Sequence, residues 1–294
     1  MTSGVDASTT STFESAEEFL SALRPESGRW HGPRWIFRGQ SNADWELTPS
    51  LCRTDALGDL STLVDRLRPR VEAWMAKQGS GWWGEDCERR NRVADLVMRV
   101  LVQTYTVSEF ARFADELGYA VGGELPPGVD EILDKPPPEI FHFAPSPAYA
   151  LAQHHGIRTL LLDWTWSPLV AAWFAAKKAR PADKHLTVWA VSIGKLRGQI
   201  RPYYCPRHQM GYLHAQHGLF LHLQYPFAAF NAMGKWPAFD VVEPDVQFLR
   251  LRLVTSEAEK LLDLLSIERV TKANLMPTLD NVAEHLHQIW APLR

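Results

Sequence analysis

The chain of 294 residues is poor in cysteine, in long apolar runs and in net charge, and each shortage removes a class of function. Three cysteines, Cys52, Cys87 and Cys205, are too few and too scattered for a disulfide framework, and the odd count leaves at least one thiol free. A reducing cytosol is the default expectation, so a cytoplasmic protein is expected. No window approaches the roughly twenty apolar residues that cross a bilayer. The start, Met1 to Thr12, is rich in serine and threonine but has neither the basic residues nor the apolar run of a secretory signal. No membrane partner is expected. A formal charge of −3 argues against a surface built mainly to neutralise a phosphate backbone, while leaving room for a local basic groove.

What is there is a globular composition. With 46% apolar residues the chain buries a full core, as one large domain or two small ones. Ser15 followed by Glu18 reads as a capping box opening a helix with Phe19, Leu20 and Leu23 on its buried stripe, and residues 1–12 before it read as a flexible tail. Arg34 to Gly39 is a brief apolar strand that stops at glycine, which brings Arg38 out at a strand end. From about residue 55 to 120 the apolar residues recur at helical spacing, clearest in Val93, Leu96, Val97, Val100 and Leu101. This predicts a helical block inserted between two strand regions. Gly122 to Pro138 is a surface connection. Thr187–Val191 and Val246–Val254 read as strands, and Glu257–Leu265 and Leu279–Ile289 as closing helices.

The most informative stretch runs from Ala150 to Ala176. A helix-like segment ends at Gln153, His154 and Gly156; an apolar strand follows and hands over at Asp163, Trp164 and Thr165 to a helix with Pro168 in its first turn. Backbone amides and short polar side chains converge at such a junction without local partners, and anionic or nucleotide ligands are commonly held there.

Four blocks occur in order: Phe37-Arg38-Gly39-Gln40; Gln153-His154 with Gly156; Leu162-Asp163-Trp164-Thr165; and Gln216 with Gly218 and Phe220. Together they resemble the signature of the FRG domain family over roughly Phe13 to Ile289. Met276-Pro277-Thr278-Leu279-Asp280 is similar to the motif that closes the family. Leu160 departs from the arginine usual there, and the loop near Pro126 to Pro138 is longer than typical. The resemblance implies an ADP-ribosyltransferase-like fold: α+β, with a split, mostly antiparallel sheet, flanking helices and the helical insertion, spanning residues 13–294. It implies NAD as substrate, gripped by Arg38 with Gly39, Gln40, Gln153, Trp164, Thr165 and Tyr212 around it. Asp163, Gln216 and His154 would be the catalytic set, although Gln216 stands where the superfamily has a glutamate.

The residue types suit that chemistry. A guanidinium fork binds phosphate or ribose oxygens in a way an ammonium does not. Cleaving the bond between nicotinamide and ribose develops positive charge on the sugar, which a carboxylate in a water-poor cleft stabilises. In this reading Asp163 supplies the charge, Gln216 holds a ribose hydroxyl, His154 orients substrate or accepts a proton, and Trp164 or Tyr212 stacks on nicotinamide. Blander readings stand beside it: Arg38 as a surface ion-pair partner, Asp163 as a helix cap, His154 as a core histidine, Gln153 as the partner of a buried carbonyl. Cys205, His208, His214 and His217 are of zinc-ligand type, but residues three apart in a strand or tight turn face opposite ways, so no metal is expected.

The expected activity is transfer of ADP-ribose from NAD to an unidentified macromolecular acceptor, protein or nucleic acid, as in a bacterial toxin or an anti-phage effector. An NAD glycohydrolase is a close variant. A non-catalytic module that binds a nucleotide or nucleic acid is the alternative from another class, and the missing glutamate favours it.

Overall fold

A computed structural model describes residues 9–30, 34–53, 55–79, 81, 86–137, 139–206, 210–233 and 235–290. Seven strands form one sheet in the order β1-β7-β4-β2-β3-β6-β5. They are β1 Thr10–Phe13, β2 Trp35–Gln40, β3 Leu162–Thr165, β4 His185–Ser192, β5 Ile200–Tyr203, β6 Gly218–Leu223 and β7 Leu249–Val254. All neighbours are antiparallel except β1 and β7. The helices are α1 Ala16–Leu23, α2 Ser61–Gln78, α3 Cys87–Glu116, α4 Val129–Leu133, α5 Pro147–His154, α6 Pro168–Lys177, α7 Gly211–Ala215, α8 Pro226–Met233, α9 Phe239–Val242, α10 Ala258–Ile267, α11 Lys272–Leu275 and α12 Leu279–Trp290. The chain is thus a mixed α+β protein with a mostly antiparallel sheet. No helix among the described residues is long and apolar enough to cross a membrane.

Both faces of the sheet are covered, which explains why β4 is apolar almost without interruption: alternation sends Val188 and Ala190 to one layer, Trp189 and Val191 to the other. On the first side α1, α6 and α10 bury Phe19, Ala172, Ala175, Leu261 and Leu265 against Leu186, Leu251 and Leu253. On the second, α2 and α3 bring Trp74, Val97 and Leu101 onto Ile36, Trp164 and Leu221. The helical block expected at 55–120 is therefore one wall of the core. A third cluster joins the end of α3 to α5 through Val107, Ala148 and Phe220.

Two boundaries differ from expectation. Thr10–Thr12, placed in the flexible tail, form β1 with Phe13 along the edge of β7, while residues 1–8 of that tail lie outside the described residues. The strand expected from Val246 begins at Leu249, because the Val246 amide closes a turn onto the Glu243 carbonyl at 2.9 Å. The cap of α1 is as read: Ser15 Oγ accepts from the Glu18 amide at 3.3 Å.

Candidate functional site

Phe37 and Thr165 are the one residue pair that joins β2 to β3. Beyond it the strands part, and the Arg38 side chain fills the opening. Its Nη1 donates to the Asp163 carbonyl at 2.7 Å and lies 3.6 Å from Asp163 Oδ2. A main-chain acceptor beside the interrupted ladder thus finds a side-chain donor. The Arg38 side chain is 12% exposed, its partner's carboxylate 62%. Burial pulls the Arg38 pKa down to about 10, opposed by Asp163 and aided by repulsion from Arg53, so the group remains a cation at pH 7. Its Nε is buried with no partner among the described residues.

The opening is a cleft of about 430 Å³. β2 forms its floor, the loop after β2 adds Trp45 and Arg53, the end of α5 adds Gln153 and His154, and α6 adds Phe174, Lys177 and Lys178. Gln216 and Met276 close it. Arg38, Arg53, Lys177 and Lys178 face a single carboxylate among the lining residues, Asp163, so a chain of net negative charge carries a basic cleft. The pKa of Arg53 is lowered by desolvation, against the attraction of Asp163 and with the repulsion of Arg158. Burial and the neighbouring His155 lower the His154 pKa, Asp163 opposing them, so this imidazole is neutral at pH 7 and free to accept a proton. Gln216 ends α7 and donates through Nε2 to the Leu275 carbonyl at 3.2 Å. His217 behind it takes the left-handed conformation, φ 50°, to enter β6.

The structure brings Arg38, Gly39, Gln40, Gln153, His154, Asp163, Trp164, Thr165 and Gln216 to the lining of one cleft. Several of these residues also have structural duties. Gly39 makes room for a helix: a Cβ there would stand 1.9 Å from the Ala171 carbonyl oxygen in α6. Gln40 is buried and committed on both sides, donating to the Glu46 carbonyl at 3.2 Å and accepting from Trp189 Nε1 at 2.7 Å. The Thr165 hydroxyl donates to the Gln216 carbonyl at 2.7 Å and accepts from the Ser167 amide at 3.0 Å, so it joins elements where it lines the cleft. The Trp164 ring lies in the core against Phe248, and the residue still contributes to the lining of the cleft. Tyr212 stacks on His154, centroids 4.5 Å apart, and does not line the cleft. Leu160 is also core, and its amide donates to Gln103 Oε1 at 2.6 Å.

Sequence reasoning missed Arg53, Lys177 and Lys178. Arg53 sits in an irregular loop with no periodicity to mark it. Lys178 had a signal: Ala171, Phe174 and Lys178 recur at helical spacing, and all three face the cleft.

Residues 131–184 match the FRG domain family. The FRG segment contains α5, β3 and α6, and so supplies Gln153, His154, Asp163 and Lys177; Arg38, Arg53 and Gln216 come from outside it. Searches of curated proteins and of solved structures find no match. Of the possible zinc ligands, Cys205 is buried beside Met210, its Sγ 3.7 Å from the Met210 sulfur, and His208 lies outside the described residues.

Proposed function

We propose that the chain is an NAD-dependent ADP-ribosyltransferase of FRG type, acting on a macromolecular acceptor. The observation that carries this reading is the Arg38–Asp163 pair in the gap between β2 and β3, inside a cleft whose other lining charges are cations. The buried, unpartnered Nε of Arg38 fits a bound oxyanion, and Arg53, Lys177 and Lys178 suit a pyrophosphate. Asp163 would face the charge that develops on ribose as the bond from C1′ to nicotinamide breaks. The acceptor's nucleophile forms the new bond to C1′, nicotinamide leaves as the neutral pyridine, and the proton lost by the acceptor passes to the neutral imidazole of His154.

A second reading, a non-catalytic nucleotide-binding module, draws support from one observation: Gln216 offers an amide where a transferase would place a carboxylate, and that amide already bonds the Leu275 carbonyl. NAD labelled in its adenosine half separates the two. The transferase reading expects nicotinamide release and label fixed to a macromolecule when lysate is added. Arg38→Ala should abolish both, and Asp163→Asn should cut turnover about a hundredfold or more, the cost of losing one preorganised charge, with thermal unfolding unchanged. Release of nicotinamide without fixed label would point to a glycohydrolase. Stabilisation by NAD with no release would establish the binding module and end the transferase reading.

A further inference from the structure

Trp45 and Arg53 line the cleft on one side and a larger pocket of about 820 Å³ on the other, so the two spaces share a wall. Trp45 is 47% exposed, and the Arg53 guanidinium lies 5.9 Å from its ring centroid. The larger pocket differs from the cleft in charge. Its cations are matched by carboxylates: Arg99 pairs with Asp95 at 2.8 Å and Lys235 with Glu46 at 2.8 Å. Its far side includes Trp236, 5% exposed, whose Nε1 has no hydrogen-bond partner among the described residues. A basic cleft therefore adjoins a neutral pocket that offers an exposed aromatic face and a buried indole donor left unused.

We propose that this pocket is a base-binding subsite: a ligand whose phosphates lie on Arg38 and Arg53 passes over the Trp45 edge and places its purine ring in the pocket, against Trp45 and within reach of Trp236. The inference rests on the nucleotide reading of the cleft and adds which end of the ligand goes where. Phosphates belong where cations are unmatched, and a neutral heterocycle belongs where charges cancel and π faces stand open. An indole N–H suits a purine ring nitrogen, an acceptor that a buried, unpaired donor lacks.

Two probes separate the subsites. ADP-ribose carries phosphates and a purine, whereas nicotinamide mononucleotide carries a phosphate and no purine. Calorimetric titration of the full chain should show Trp45→Ala weakening ADP-ribose about tenfold, the value of one base stacked on an aromatic ring, while nicotinamide mononucleotide changes less than about twofold. Trp236→Phe keeps an aromatic ring in the core, smaller by part of the indole, and removes the donor; it should weaken ADP-ribose by about three- to tenfold, one hydrogen bond, again sparing the mononucleotide. Unchanged ADP-ribose affinity in both variants overturns the subsite and leaves the nucleotide reading of the cleft intact. So does equal weakening of the two probes, which would make Trp45 a wall of the cleft alone. If the unaltered protein binds neither probe, the nucleotide reading falls and takes the subsite with it.

Discussion

Two residues show how closely the site depends on what a single side chain leaves out or keeps neutral. Gly39 stands in β2 beside the arginine of the cleft, and its missing Cβ is what lets the α6 backbone approach. Gly39→Ala must displace main chain, not the end of a flexible side chain, so the cost should reach the upper part of the range for overpacking, about 3 kcal/mol. Urea denaturation measures it; a loss below about half a kcal/mol would mean that α6 does not rest on β2 as described. His222 in β6 is the second case. It is 7% exposed with Nδ1 unpartnered, and burial draws its pKa from 6.5 down to about 4. The unfolded chain takes up this proton near pH 6.5 and the folded chain only near pH 4, so acid favours the unfolded state throughout that window. Stability should therefore fall by about 3 kcal/mol as the pH drops from 7 to 4, and His222→Phe should flatten that part of the profile. An identical acid slope in the variant would assign the loss to other groups. The sequence showed neither role, because both depend on what packs against the residue from distant parts of the chain.

At the scale of elements, Thr165 ties three pieces of the site together. Its hydroxyl holds the carbonyl of Gln216 at the end of α7 and the amide of Ser167, the cap of α6, while its backbone in β3 pairs with Phe37. Ser167 in turn caps α6 through the Val170 amide at 3.3 Å. Thr165→Val keeps the shape and deletes both bonds, leaving a buried carbonyl and amide to find other partners. A destabilisation of about 1–3 kcal/mol should follow, with weaker binding of ADP-ribose because Gln216 loses its anchor; thermal unfolding and calorimetry together test this. Stability that falls without any change in affinity would mean that Gln216 is placed by α7 alone. The elements themselves were largely legible: Pro168 in the first turn of α6, the serine cap of α1, the apolar run of β4 and the alternation in β7 are local signals. What sequence adjacency could not tell was the face. Asp163, Trp164 and Thr165 are consecutive, yet alternation sends the Trp164 ring into the core and leaves the Asp163 carboxylate exposed. All three line the cleft, but a strand's side chains alternate, so they meet it differently.

For the whole molecule, the question is whether the 55–120 block is a separable module on a smaller α+β sheet or part of one folding unit. The packing supports one unit. Trp74 of α2 and Leu96, Val97 and Leu101 of α3 belong to the same apolar cluster as Ile36 of β2, Trp164 of β3, Trp189 of β4 and Leu221 of β6. Removing the helices would uncover a full face of the sheet, and the helices alone would expose the residues that meet it. Arg99 of α3 also donates to the Leu51 carbonyl at 2.5 Å, tying the helix to the loop that ends in Arg53 and so to the wall of the cleft. Unfolding should therefore be cooperative across the block. Measured by hydrogen exchange against denaturant, the amides of α2 and α3 and those of β2, β3 and β4 should lose protection together, with a common slope. Excision of residues 61–116 with a short linker should yield no folded protein. Amides of α2 and α3 that open clearly apart from those of the sheet, or a folded excision product, would show instead that the insertion folds by itself and that the cleft could be shed of it.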